Sequence, residues 1–266
     1  MKTYLYKYKI YIYCIFMNVK KLVCIPARLH STRLPGKPLL KINGKTIINH
    51  VHDNVSKLKG VDIVVLTDDI SIKEEVESFG GICFIINDEC LNGTDRIIKY
   101  LTQVNTSEYD IIVNVQGDEP FISSSNIQLA IDNYIKQKEH MQHMVCSTLY
   151  YKTKNVDEIK SKSRGKAVLD LEGNIMYCSR NVIPSNKKND VIPDYEYNIH
   201  IGIFVFDYGY LVNMYKDKNT PLQLTEDIEW MKIMEQGFKI NAVEVNEHEI
   251  GVDTQADYDY LVKKYE

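Results

Sequence analysis

The stretch LVCIPARLHSTRLPGKPLL, Leu22–Leu40, decides how the rest of the chain is read. Its opening run Leu22-Val23-Cys24-Ile25 is short, apolar, partly β-branched and bounded by Pro26, which predicts a buried strand. The character then changes: Arg28, Arg33 and Lys37 alternate with Ser31, Thr32 and Gly36 before apolar residues resume at Leu39-Leu40. In open α/β sheets, a loop leaving the carboxyl end of a parallel strand is where ligands bind. Arginine offers forked donors and lysine a point charge, so three cations with hydroxyls and a close-approach glycine suit a polyphosphate. Charge alone would equally serve a solvated surface loop. The order, a strand followed by R-x(4)-R-x-x-G-K, favours the ligand. The pattern is neither the Walker sequence nor the dinucleotide fingerprint G-x-G-x-x-G.

Outward from this loop, strand and helix signals alternate. Ile42-Asn43-Gly44-Lys45 reads as a turn, and Thr46 as the cap of a helix with Ile47, Ile48, Val51 and Val55 at helical spacing. Val61–Thr67 reads as a strand ending in Asp68-Asp69, residues 70–79 as a helix stopped by Gly80-Gly81, and residues 82–86 as a strand. Asn92-Gly93-Thr94-Asp95-Arg96 opens the next helix, with Thr94 as its expected cap and Asp95 favoured in its first turn. Arg96 has no helix-building reason. This alternation predicts an α/β fold with a doubly wound, mostly parallel sheet.

The strand Asp110–Val115 delivers the turn Gln116-Gly117-Asp118-Glu119-Pro120, which places carboxylates at the carboxyl edge of the sheet. Magnesium takes hard oxygen ligands, commonly one or two carboxylates plus substrate phosphates, and Asp118 fits that need. An ordinary acidic turn is the plain alternative. Ser123 is positioned to cap a helix through Ile135, and residues 144–150 read as a strand. Two strands flank the turn Leu171-Glu172-Gly173, a loop with Pro184 and Pro193 follows, and Tyr197–Phe206 reads as another strand. A helix is expected over 225–236, then a strand through Ile240 and Val245, and a last helix capped by Thr254.

The chain has 266 residues, 44% hydrophobic and 26% charged, an ordinary globular composition large enough for one domain with an appended subdomain. A net charge of −4 argues against a nucleic-acid or membrane-surface partner. Six cysteines without C-x-x-C or metal spacing read as reduced core residues of a cytoplasmic protein. Residues 1–20 are an extension of uncertain role. The apolar positions of 1–16 are interrupted by lysines and too few for a membrane span.

The run IPARLHSTRLPGKPLL, with VNVQGDEP, resembles the CMP-Kdo synthetases, the 3-deoxy-manno-octulosonate cytidylyltransferases, from about Lys21 to the end of the chain. The resemblance implies a nucleotide-diphospho-sugar transferase-like, Rossmann-like fold with a small β-rich dimerisation subdomain around 175–215. It implies a homodimer using Mg2+, in which the anomeric hydroxyl of an acidic eight-carbon sugar attacks the α-phosphorus of CTP and expels pyrophosphate. Carried over residue by residue, it places Pro26, Ala27, Arg28, Arg33, Lys37, Gly93 and Thr94 around the nucleotide. Arg28, Arg33, Lys37 and Asp118 would be catalytic, with Asp118 and Asp253 holding the metal. Gln116, Lys166, Arg180, His200 and Glu226 would line the sugar. The chain departs from the family pattern at Cys90, Asn92, Phe204, Gln223, Trp230 and Lys232. A cytidylyltransferase for another nonulosonic or sialic-type acid, or a catalytically idle nucleotide-sugar-binding relative, are the competing readings.

Overall fold

The computed structural model describes residues 19–31, 33–188, 190–215, 219–246 and 250–266; the leading segment, Cys14 and Thr32 lie outside them. In chain order the strands are β1 (Lys21–Pro26), the short pair β2 (Lys41–Ile42) and β3 (Lys45–Thr46), β4 (Asp62–Thr67), β5 (Cys83–Ile85) and β6 (Ile111–Val115). They continue as β7 (Met144–Thr153), β8 (Lys166–Leu169), β9 (Ile175–Ser179), β10 (Tyr197–Asp207) and β11 (Lys239–Glu244). The helices are α1 (Ile47–Val55), α2 (Ile70–Ser78), α3 (Gly93–Gln103), α4 (Ser124–Lys138), α5 (Val156–Lys160), α6 (Pro221–Glu226), α7 (Met231–Glu235) and α8 (Gln255–Tyr265), with a short helical and π-turn segment over 208–215.

The main sheet runs β11-β7-β10-β6-β1-β4-β5. Strand β1 lies inside it, between β6 and β4: Leu22 to Pro26 are all buried, as an apolar strand covered on both faces must be. It pairs in parallel with both β4 and β6, and β5 extends the same direction. Two apolar cores follow from this, one on each face of the sheet. A smaller third core gathers Leu34, Ile42, Ile47, Val252 and Leu261. Leu34 belongs to the cationic loop and Val252 precedes Asp253, so burial of these side chains draws two distant segments together.

One strand breaks the parallel pattern. β10 lies antiparallel between β6 and β7, and its amino-terminal end also pairs with β8, which carries β9 at its side. The region expected around 175–215 is therefore not one body. The β8–β9 hairpin pairs with the start of β10 and its turn is tied to β11, where the Ala242 amide donates to the Gly173 carbonyl at 2.8 Å, while Ile203–Asp207 is paired into the central sheet against β6. Residues 180–196 contain no helix or strand among those described.

The helix expected over 225–236 is two helices. Asp227 ends α6 in the left-handed region, at φ 54°, and α7 begins only after Trp230. Trp230 is buried with its ring 4.7 Å from that of His200, so a long-range ring contact takes the place of a continuous helix. Among the described residues no helix is long and apolar enough to cross a membrane, and the cysteines at 24, 83, 90, 146 and 178 are free thiols.

Candidate active site

At the carboxyl ends of β1 and β6 three cavities adjoin, and Gln116 lines all of them. The first, about 290 Å³, is lined by Pro26, Ala27, Arg28, Arg33, Lys37, Gly93, Arg96, Asp118, Glu229 and Asp253, among others. Its floor is built by close approaches. A Cβ on Gly117 would stand 2.8 Å from the Pro26 carbonyl oxygen, and one on Gly93 would stand 2.9 Å from Pro26 Cγ. Only glycine lets the end of β1, the start of α3 and the acidic turn meet so tightly.

The cationic loop is set by its own turn. Gly36 takes φ 69°, a left-handed conformation that opens a 3-10 turn over Lys37–Leu39 and directs the lysine inward. Lys37 Nζ donates to Asp118 Oδ2 at 2.5 Å and lies 3.8 Å from Asp253 Oδ1, which also accepts from Arg33 Nη2 at 3.0 Å. The Val252 amide donates to the Asp118 carbonyl at 2.8 Å, tying the carboxyl-terminal turn to the acidic turn. Arg28 is exposed on the wall of the same cavity. Arg96 is buried and donates Nη2 to Asp68 Oδ2 at 2.9 Å, while Asp68 Oδ1 accepts the Leu29 amide at 3.3 Å. Arg96 therefore braces the cationic loop from the first turn of α3.

Glu119, next to Asp118, has one carboxylate oxygen buried without a hydrogen-bond partner among the described residues. Burial pushes its carboxyl up to about 8, reinforced by the charges of Asp118 and Asp253 and opposed by Lys37 and the Gly202 amide. No cluster of three or more His, Cys, Asp or Glu able to hold a metal forms among the described residues. Asp118 and Asp253 nevertheless flank one ammonium between them. Two carboxylates that converge on a cation beside a polyphosphate-sized cavity are the donor set a magnesium ion shares with substrate phosphates.

The second cavity, about 250 Å³, runs from Asp118 and Asp253 past Glu119 to Tyr151, Arg164, Gly165 and His200. The third, about 530 Å³, is lined by His200, Phe204, Arg180, Gln223, Glu229 and Trp230 among others. His200 is placed by Thr148, whose Oγ1 lies 2.8 Å from Nε2, and by ring contacts with Phe204 and Trp230.

A sequence model of the cytidylyltransferase family matches residues 22–240. The chain belongs to the cytidylyltransferase family. It is 38% identical over 235 residues to a 3-deoxy-manno-octulosonate cytidylyltransferase of Protochlamydia amoebophila, an alignment covering 88% of this chain and 89% of that one. It is 37% identical over 225 residues to an 8-amino-3,8-dideoxy-manno-octulosonate cytidylyltransferase of Shewanella piezotolerans, covering 84% and 89%. Its fold matches a solved CMP:2-keto-3-deoxy-manno-octonic acid synthetase complexed with CTP, with a TM-score of 0.82, 30% identity, and coverage of 92% and 98%.

In this cytidylyltransferase the expected nucleotide residues Pro26, Ala27, Arg28, Arg33, Lys37 and Gly93 share one cavity with Asp118 and Asp253. Thr94 lies just behind it: buried, it donates to Glu229 Oε1 at 2.6 Å and accepts from Asn114 Nδ2 at 3.2 Å. The cap of α3 is Asn92, whose Oδ1 accepts the Asp95 amide, so the helix starts two residues earlier than Thr94 implied. Gln116 and His200 line the second and third cavities, and Arg180 lines the third.

Lys166 and Glu226 do not reach those cavities. Lys166 is fully buried, and its ammonium donates to the carbonyls of Ser161, Arg164 and Arg180 at 2.6–2.8 Å. Burial lowers its pKa to about 8, and the side chain fastens loops rather than facing a ligand. Glu226 accepts from Tyr177 Oη and Ser179 Oγ at 3.0 and 2.7 Å, which ties α6 to β9. Sequence reasoning did not single out Arg164, Glu119 or Glu229 as site residues. Glu119 sits in the acidic turn already read as functional, so adjacency was its available signal.

Proposed function

We propose that this cytidylyltransferase transfers CMP from CTP to the anomeric hydroxyl of 3-deoxy-D-manno-octulosonate (Kdo), giving CMP-Kdo and pyrophosphate. The observation that carries the reading is the meeting of Arg33 and Lys37 with Asp118 and Asp253 in one cavity that opens, at Gln116, onto a second. One compartment suits a triphosphate and the other a hydroxylated acid. Relatives named for Kdo activation cover most of the chain and supply the acceptor.

In this reading Arg28, Arg33 and Lys37 hold the triphosphate and stabilise charge that develops as pyrophosphate leaves. Positioning is the remaining contribution: Arg96 and Asp68 hold the loop, and Gln116 and His200 orient the acceptor beside the α-phosphate. Asp118 and Asp253 would hold Mg2+, which when bound supplies charge neutralisation at the phosphates and acidifies a hydroxyl. Lys37 then exchanges its carboxylate partner for phosphate oxygen. A homodimer is part of the same proposal, formed through the outer face of the β8–β9 hairpin, where Leu171 and Met176 are exposed.

The similarity to the Shewanella piezotolerans protein makes the 8-amino sugar a second acceptor to test. The experiment is pyrophosphate release from CTP with and without magnesium, offering Kdo, 8-amino-3,8-dideoxy-manno-octulosonate and N-acetylneuraminate in parallel. Turnover dependent on both magnesium and Kdo is expected. Turnover with the amino sugar alone would transfer the assignment to that acceptor, and silence from folded, CTP-binding protein would support the idle reading.

A further inference from the structure

Glu119 stands where three parts of the chain meet. A Cβ on Gly202, in β10, would lie 3.2 Å from its Oε1, and one on Gly251, in the carboxyl-terminal turn, would lie 3.2 Å from its Cγ. Two glycines thus vacate the space that this one side chain fills, between a strand of the main sheet and the turn that carries Asp253.

Gly202 needs such a partner. The pairing of β10 with β7 shifts register between Ile201 and Phe204, and its pairing with β6 begins at Ile203, so Gly202 lies in a bulge. Thr148 Oγ1 lies 2.6 and 3.3 Å from the carbonyl oxygens of Ile203 and Ile201, and the Gly202 amide donates to the Glu119 carboxyl. An apolar side chain at 119 would fill the space but leave that amide without its acceptor.

The other contact is with the metal-side pair. The Val252 amide donates to the Asp118 carbonyl at 2.8 Å, so consecutive residues of the carboxyl-terminal turn bear on consecutive residues of the acidic turn: Gly251 on the Glu119 stem, Val252 on the Asp118 backbone. Asp253 follows directly and shares the Lys37 ammonium with Asp118. The placing of one aspartate against the other therefore passes through Glu119. Glu119 does not complete a set of three ligands with them: no metal-holding group of three or more such residues forms among the described residues, and its carboxyl is engaged by Gly202.

We propose that Glu119 is a positioning residue, which braces the turn carrying Asp253 against β10 and so sets how Asp118 and Asp253 meet a divalent cation, through its length rather than its charge. This rests on the metal reading of the two aspartates above.

The test is the affinity for CTP in the absence of any acceptor, so that nothing turns over, measured by calorimetry over a range of Mn2+ concentrations. Glu119→Gln keeps the length and an oxygen for the Gly202 amide, whereas Glu119→Asp keeps the charge and loses the reach. Glu119→Gln is expected to need Mn2+ within about twofold of wild type, and Glu119→Asp about 10- to 100-fold more, with CTP affinity in chelator unchanged in both. Gly251→Ala, which presses on Glu119 Cγ and alters no charge, should shift the Mn2+ requirement in the same direction as Glu119→Asp. Thermal unfolding followed alongside reports that each variant is folded. A requirement raised in Glu119→Gln as far as in Glu119→Asp, or unshifted in Glu119→Asp, would overturn the proposal. Wild type and Asp118→Ala separate the two levels of the argument. CTP affinity that ignores Mn2+ in wild type, or follows it unchanged in Asp118→Ala, sinks the metal reading and this proposal with it; Mn2+ dependence that Asp118→Ala abolishes and Glu119→Asp leaves alone sinks this proposal only.

Discussion

Lys37 and Asp118 form a half-buried ion pair whose partners are 81 residues apart, and their chemistry is more relevant to turnover than to folding. A pair with one partner a third exposed contributes little to stability, whereas a carboxylate placed beside transferring phosphate acts directly on the transition state. Asp118→Ala is therefore expected to lower kcat by at least about 100-fold with an unfolding temperature close to wild type. Near-normal turnover would remove Asp118 from the metal site. Glu229 gives a different prediction. Burial raises its pKa from the usual 4.5, opposed by donation from Thr94. The folded state thus binds its proton more readily than the unfolded state, so this group's contribution to stability falls as pH rises above about 4.5. Glu229→Gln keeps an acceptor for Thr94 and removes that penalty. It should match wild type near pH 4 and exceed it increasingly toward neutral pH in urea unfolding; a constant gap at all pH values would refute the buried-charge account. Arg28, Arg33, Lys37 and Asp118 were legible because each belongs to a local pattern, a cationic loop or an acidic turn leaving a strand. Glu229 and Arg164 were not, since their settings come from Thr94, 135 residues away, and from a Tyr151–Glu158 pair that joins β7 to α5.

At the scale of elements, α3 joins the fold to the site through its first turn. Asn92 caps it, Gly93 passes against Pro26, and Thr94 and Arg96 turn inward to Glu229 and Asp68. The helix was legible from its apolar spacing, but its start was not, because Asn92 and Thr94 are both good caps and the choice depends on which must point into the protein. Asn92→Ala should cost about 1 kcal/mol of stability, measured by denaturant unfolding. Gly93→Ala tests a different property. Its added methyl must displace the Pro26 ring, which forms part of the nucleotide cavity, so the KM for CTP should rise about tenfold while the KM for Kdo changes little. An unchanged KM for CTP would show that α3 yields without disturbing the cavity. The division of the expected 225–236 helix into α6 and α7 was illegible for a related reason. Its periodic residues satisfy a helix, but Trp230 packs on His200 from another part of the sheet, and a local pattern contains no information about that partner.

Across the whole molecule, the parallel half β6-β1-β4-β5 follows from strand–helix alternation, whereas the antiparallel insertion of β10 does not. That strand joins two regions. Its carboxyl-terminal half lies against β6, and its amino-terminal half pairs with β8, with His200 and Gly202 between them lining the second and third cavities. The β8–β9 hairpin therefore sits beside the second and third cavities, while the first cavity has its own support from β1 and α3. On that hairpin Leu171 and Met176 are exposed, at 108% and 64%, and burial of such side chains between two copies would remove them from water. Light scattering should report a dimer for the wild-type chain and a monomer for the double variant Leu171→Asp, Met176→Lys. If the dimer supports the acceptor wall, that monomer should show a raised KM for Kdo and an unchanged KM for CTP. A monomeric wild type with full activity would confine the role of the hairpin to the single subunit and leave the loop network of Lys166 and Arg180 as the support of the cavity wall.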